Sequence, residues 1–163
     1  MSDERPVLVL VSGLPGAGKT TYAKVLEQQL GAVRLCADDW LEELALDLWD
    51  EEAREQMEGL QWQVARRLLS LGVAIVIQWG TWSRAERDRI RDEARQLGAR
   101  AELHHLDAPL DLLHQRVVAR GREQLAIERG QLEQWQAMFE VPTEHEAALW
   151  DAFETVSTAA HER

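Results

Sequence analysis

The sequence predicts an α/β fold, a parallel sheet covered by helices on both faces. Three observations predict it. Short apolar runs rich in Val, Ile and Leu recur, most clearly at residues 7–11 and 73–77, and read as strands buried on both sides. Between such runs lie stretches with helical spacing, closed by Gly31, Gly72 and Gly98. Residues 13–20, Gly-Leu-Pro-Gly-Ala-Gly-Lys-Thr, follow the first run and open a helical stretch, the strand–loop–helix setting that a phosphate-binding loop requires.

The elements follow in order. Residues 7–12 form the first strand, and residues 20–30 a helix stopped by Gly31. A short second strand spans 32–36. A long helical stretch covers 40–71, with a break expected near 49–51, and Gly72 ends it. Residues 73–77 are the most hydrophobic strand. Ser83 caps a charged helix over 84–97 that stops at Gly98, and 101–106 is a fourth strand. Pro109 opens a helix through Arg120, and 121–130 is an Arg/Glu-rich connection. Residues 131–139 are helical, Pro142 and Thr143 begin a last helix through Trp150, and 153–157 has the character of a fifth strand. No internal repeat or low-complexity linker interrupts the series.

At 163 residues the chain is expected to be one domain, 1–163, large enough for a proper core. Eighteen basic against 29 acidic residues give a net charge of −11, a field that repels polyanions and disfavours long nucleic acid as a substrate. The one cysteine, Cys36, lies in an apolar setting and reads as a small buried hydrophobe. The first residues lack a basic-then-apolar leader pattern, and no apolar run approaches about 20 residues. A cytoplasmic protein without membrane contact is therefore expected, as monomer or homodimer, since Leu46, Trp49 and Leu60 suit either a core or a partner.

The loop carries the chemistry. Its glycines let the backbone of Gly13, Leu14, Pro15, Gly16, Ala17 and Gly18 wrap a phosphate chain, with N–H groups from all of them but Pro15. Lys19 reaches the β- and γ-phosphates, the Thr20 hydroxyl suits Mg²⁺, and Thr21 continues into the helix. A nucleoside triphosphate is the implied ligand.

Ligands of such sheets bind at the carboxyl ends of the strands. After the second strand come Asp38, Asp39 and Trp40; after the third, Gln78, Trp79, Gly80, Thr81, Trp82, Ser83 and Arg84; after the fourth, Asp107, Ala108 and Pro109. Asp38 suits a general base for an acceptor hydroxyl, or a carboxylate linked to Mg²⁺. A helix N-cap is the plainer role for an aspartate there, and two adjacent aspartates allow both. Trp40, Trp79 and Trp82 are placed to wall an acceptor pocket, whereas Trp62 reads as core. Arg84 suits an anion or a salt bridge to Asp88 one turn on. His104 and His105 alternate on one strand and offer no metal pair, and the other histidines have no ligand spacing.

GLPGAGKTT, RLCADDW, WGTWSRAERDRIRDEARQLGA, LHHLDAPLDLLHQRVVAR and FEVPTEHE together resemble the small AAA-type P-loop kinases, relatives of the zeta-toxin and chloramphenicol-phosphotransferase group. The resemblance runs from about residue 7 to 156. It implies a three-layer α/β/α P-loop NTPase with a five-stranded parallel sheet in the order 2-3-1-4-5. It also implies Mg²⁺-dependent transfer of the ATP γ-phosphate to a hydroxyl of a small molecule. By the same resemblance Arg116 and Arg120, four apart on one helix face, belong to a short helical lid at about 116–130, with Arg122 and Arg129 as weaker candidates. One residue departs from the pattern: Gln78 stands where such proteins often carry a carboxylate for the Mg²⁺ shell. Two alternatives share the loop, a polynucleotide 5′-kinase, against which the charge counts, and a nucleotide-hydrolysing switch, which Gln78 favours.

Overall fold

The computed structural model describes residues 4–121 and 126–159. Strands β1 (Val7–Ser12), β2 (Val33–Cys36), β3 (Ile75–Gln78), β4 (Arg100–Asp107) and β5 (Ala152–Ser157) form a five-stranded sheet in the order β2-β3-β1-β4-β5. Every neighbouring pair is parallel. Parallel neighbours need crossovers, and the helices supply them: α1 (Lys19–Leu30), α2 (Ala37–Glu43), α3 (Glu51–Ser70), α4 (Arg84–Gln96), α5 (Leu110–Arg120), α6 (Arg129–Met138) and the short α7 (Glu144–Ala147).

Two apolar cores flank the sheet, because alternate residues of each strand face opposite sides. Leu8, Leu10, Ile75, Ile77 and Leu103 pack with Leu41, Trp62, Leu69 and Ile90 on the face of α2, α3 and α4. Val9, Val11 and Val76 pack with Ala23, Leu113, Val117 and Leu132 on the face of α1, α5 and α6. Burying all of β3, Ile75 to Gln78, is what a central parallel strand demands and explains its continuous apolar run. The three-layer architecture and strand order are those expected. No helix of the described residues is long and apolar enough to cross a membrane.

Two local differences matter for the site. The second helix begins at Ala37, directly after β2, so Asp38 and Asp39 lie in its first turn and neither is the N-cap; Cys36 holds that position. The negative side chains there suit the positive end of the helix dipole. The break in the helical stretch also falls earlier. Ala45 takes a left-handed conformation (φ 54°), a connection runs over residues 44–50, and Asp50 starts α3 by accepting from Ala53 N at 3.0 Å. Ser83 caps α4 as expected, in a reciprocal box with Glu86.

Candidate active site

The phosphate-binding loop leaves β1 and turns into α1 at the C-terminal edge of the sheet. Its glycines are fixed by close approach as well as dihedral freedom. A Cβ on Gly13 would stand 2.8 Å from the Leu106 carbonyl oxygen, and one on Gly16 (φ +83°) 2.5 Å from that of Leu113. The loop therefore rests directly on the ends of β4 and α5. Arg116 clamps the outer side: its Nη1 donates to Thr158 Oγ1 (2.8 Å) and the Gly16 carbonyl (3.2 Å), and its Nη2 donates to the Thr158 carbonyl (2.8 Å). Thr158 Oγ1 in turn donates to the Ala17 carbonyl at 2.8 Å. Arg116 thus ties the loop to the end of β5.

Lys19 folds back over the loop, donating to the carbonyls of Gly13 (2.8 Å) and Leu14 (3.0 Å). Burial pushes its ammonium down to about 8; the charge of Asp38 opposes that fall, while Arg120 and Arg54 add to it. The four side chains share one electrostatic neighbourhood. Lys19, Asp38 and Arg120 come from elements far apart in sequence, and the sheet edge gathers them.

Asp38 is engaged. Arg54 Nη2 donates to its Oδ1 at 2.5 Å and to the Leu48 carbonyl at 2.8 Å, so the 44–50 connection, α3 and α2 meet on this carboxylate. One turn along α3 from Arg54, burial raises the Glu58 carboxyl to about 7, against the pull of Arg54 and with the charges of Glu86 and Asp38 adding to the rise. Asp39 points the other way, to Arg34 of β2 at 2.8 Å. Arg34 also donates to Gln78 Oε1 (3.1 Å), and Gln78 Nε2 donates to Thr20 Oγ1 (2.6 Å).

The tryptophans divide. Trp79 belongs to the core and not to a pocket wall: it is 3% exposed, its indole N–H donates to Gln61 Oε1 at 2.7 Å, and its ring meets that of Trp62 edge-on. Trp82 is half-buried against Trp135 of α6, with ring centroids 5.9 Å apart. Trp135 also stacks on Trp49 of the 44–50 connection at 5.2 Å. Three separate elements are joined by this aromatic row. Trp40 on α2 is exposed. Arg84 bonds Asp88 at 3.3 Å and reaches His145 Nδ1 at 3.2 Å, so the salt-bridge role expected for it is formed. Arg120 is exposed at the end of α5, Thr21 is exposed on α1, and Arg122 lies outside the described residues. Arg129 pairs with Asp111 and Glu133.

Sequence reasoning missed Arg34, Arg54, Glu58 and Arg87. Arg54 and Glu58 carry a usable signal, opposite charges four apart on a long helix, but α3 alone does not say which of its faces looks toward Asp38. Arg87 is wholly buried and organises the loop after β3. It donates to the carbonyls of Thr81 (3.0 Å), Trp82 (3.2 Å) and Glu140 (2.7 Å) and to the Glu146 carboxylate. Thr81 is held at φ 45°, a region β-branched residues rarely enter, and Ser12 Oγ donates to its carbonyl from the other side. Beside the loop, a small recess of about 50 Å³ is lined by Leu14, His105, Asp107, Leu113 and Phe139. His105 stacks on Phe139, and burial lowers the pKa of its imidazole.

The donor set fits a hard divalent cation carried on a nucleotide. Thr20 offers a hydroxyl anchored by Gln78, Asp38 offers a carboxylate nearby, and phosphate oxygens supply the remainder in such complexes. Among the described residues no cluster of three or more His, Cys, Asp or Glu could hold a metal unaided.

Comparison with known proteins agrees with this fold. An adenylyl-sulfate kinase from Aeromonas hydrophila subsp. hydrophila is 31% identical over 119 residues, covering 69% of this chain and 59% of that protein. The chain therefore spans about three fifths of this relative's length. A proposed kinase from Chloroflexus aurantiacus shares the fold, with a TM-score of 0.79 at 20% identity over 98% of this chain and 91% of that one. So does a gluconokinase from Sinorhizobium meliloti, with a TM-score of 0.60 at 17% identity over 95% and 84%. Residues 8–142, from β1 through α6, match the model of a family described as an AAA domain. With the loop, the strand order and this match in agreement, the chain belongs to that AAA domain family.

Proposed function

We propose that the chain is an ATP-dependent phosphotransferase that moves the γ-phosphate to a hydroxyl of a small molecule. The observation that carries this reading is the meeting of Lys19, Asp38 and Arg120 in one field at the mouth of the phosphate-binding loop. A binding loop alone needs only the lysine. A carboxylate opposite it gives an acceptor proton somewhere to go. The likeness to an adenylyl-sulfate kinase and the fold shared with a gluconokinase support transfer to a small acceptor.

In this reading Lys19 exchanges the carbonyls of Gly13 and Leu14 for the β- and γ-phosphates of ATP, and the loop amides wrap the chain. Arg116, through Thr158, keeps the loop in shape. Arg54 holds Asp38 Oδ1, which leaves Oδ2 to accept the proton of the acceptor hydroxyl. The acceptor oxygen then attacks the γ-phosphorus, the bond to the β–γ bridging oxygen breaks, and ADP leaves with that electron pair. Arg120, at the end of α5, balances charge on the transferring group. Thr20 and Asp38 would hold Mg²⁺, whose charge neutralises the phosphate oxygens.

The walls suit a small acceptor. Trp82 is half-buried at the exit of β3, and the 44–50 connection lies over Asp38 through Arg54. The charge of −11 disfavours a polynucleotide acceptor. The experiment compares ATP turnover with and without a panel of hydroxyl compounds. The reading expects slow turnover alone and a rise of about tenfold or more with one compound, lost in Lys19→Ala. Turnover that no hydroxyl compound moves and a protein partner raises would favour a switch instead.

A further inference from the structure

His105 lies near the end of β4, opposite Ser12 of β1. The residue is 7% exposed, and its ring is fixed by the stack on Phe139. Its Nδ1 is closed off from solvent and has no hydrogen-bond partner among the described residues. Buried polar atoms in folded chains almost always have one, so the exception needs a reason. The recess of about 50 Å³ lies beside this ring. Leu14, Leu113 and Phe139 give it apolar walls, and Asp107 lines it from an exposed position. That volume holds a few water molecules or a group of a few heavy atoms, and no nucleotide base. The Leu14 carbonyl also accepts from Lys19 at 3.0 Å, so the recess adjoins the lysine that would meet the γ-phosphate.

Burial holds the imidazole below its ordinary pKa, so the ring is neutral and carries one donor and one acceptor. A buried N–H without a partner is rarer than a bare lone pair. Nδ1 therefore keeps the lone pair, and the proton sits on Nε2, the ring nitrogen left to serve the recess. His105 then brings a donor and the Asp107 carboxylate an acceptor. A hydroxyl group accepts and donates at once, so it answers both. The surrounding charge selects neither sign: Asp107 and Glu146 act on the ring against Arg87 and Lys19. An ammonium or an anion gains little in such a balanced field, whereas a neutral hydroxyl on a carbon chain suits the apolar walls.

We propose that the recess is a subsite for the acceptor, in which His105 and Asp107 hold one hydroxyl while a neighbouring hydroxyl takes the phosphate. The acceptor class is then a neutral polyol. This deepens the phosphotransferase reading and rests on it for the transfer step.

Transfer kinetics from ATP test it with erythritol, ribitol and mannitol, each beside the monohydric alcohol of the same carbon number. The proteins are the wild type, His105→Phe and Asp107→Ala, each first shown to melt cooperatively. The wild type shows kcat/KM at least about tenfold higher for a polyol than for its monohydric partner. Both variants raise the polyol KM by about tenfold, act on KM far more than on kcat, and so close that gap. Polyol transfer that both variants leave unchanged, or transfer confined to charged or monohydric acceptors, overturns the proposal and leaves the phosphotransferase reading standing. Nitrogen-15 NMR of the imidazoles reads the subsite without turnover, and decides with Asp107→Ala if His105→Phe does not fold. The wild-type His105 is expected in the Nε2–H form, with resonances that ribitol shifts in the presence of ADP and 1-pentanol does not. A proton on Nδ1, or a ring that ribitol leaves unmoved, overturns the proposal. A ribitol-dependent shift without transfer to any hydroxyl compound keeps the recess as a polyol site and removes the phosphotransferase reading.

Discussion

Arg87 and Glu146 form an ion pair hidden from solvent on both sides, with Nε to Oε1 at 2.7 Å, Nη2 to Oε2 at 2.9 Å, and side chains 0% and 1% exposed. The pair joins the WSRAERD segment of α4 to the FEVPTEHE segment before β5, and the same guanidinium holds the Thr81 and Trp82 carbonyls beside the cleft. Arg87→Met leaves Glu146 buried without its partner and should cost about 3–5 kcal/mol in urea denaturation, whereas replacing both by apolar residues of similar volume should cost less. Equal losses in the single and double variants would show that the pair itself is not what matters.

Asp38→Asn tests the carboxylate apart from the loop. The amide keeps an oxygen for Arg54 but cannot take the acceptor proton, so transfer should fall by about 10²–10⁴-fold. ADP affinity, measured by calorimetry, should stay close to that of the wild type. Parallel loss of binding and transfer would move Asp38 from the chemistry to the architecture of the nucleotide site.

Glu58 makes stability depend on pH in a known direction. Its carboxyl titrates near 7 in the folded chain against 4.5 in the unfolded one, so between those values the folded state holds the extra proton. Its contribution is fully present below pH 4.5 and is lost as pH rises through 7. Glu58→Gln removes that loss. Urea denaturation at pH 5 and pH 8 should therefore show the wild type falling relative to the variant at the higher pH.

The row Trp49–Trp135–Trp82 joins the 44–50 connection, α6 and the loop after β3. A double-mutant cycle with Trp49→Ala and Trp135→Ala should give a coupling of about 0.5–1.5 kcal/mol, as stacked aromatic pairs do. Additive losses would mean that the two rings touch without stabilising each other.

The strands, the helices between them and the loop were legible in the sequence because each rests on local rules, whereas the strand order came from the family resemblance. Buried parallel strands need continuous apolar runs, helices end at Gly31 and Gly98, and the loop has fixed glycine spacing. The early break at Ala45 was not, since an alanine in the left-handed region gives no compositional signal. Trp79 misled for a related reason: a tryptophan past an apolar run reads as a wall, but Gln61 of α3 supplies a buried acceptor for its indole and draws it into the core. Arg34, Arg54 and Arg87 matter through partners that are distant in sequence, Gln78, Asp38 and Glu146, and spacing along one element cannot disclose such pairs.

The most direct test of the central claim is transfer itself. ATP labelled at the γ-phosphate is incubated with the chain and a pool of sugars, nucleosides, amino alcohols and a 5′-hydroxyl oligonucleotide, and products are read by mass spectrometry. The account predicts label on one class of small hydroxyl compound, lost in Lys19→Ala and reduced at least about a hundredfold in Asp38→Asn. Label on the oligonucleotide alone, or label on an acceptor that survives Lys19→Ala, would contradict it.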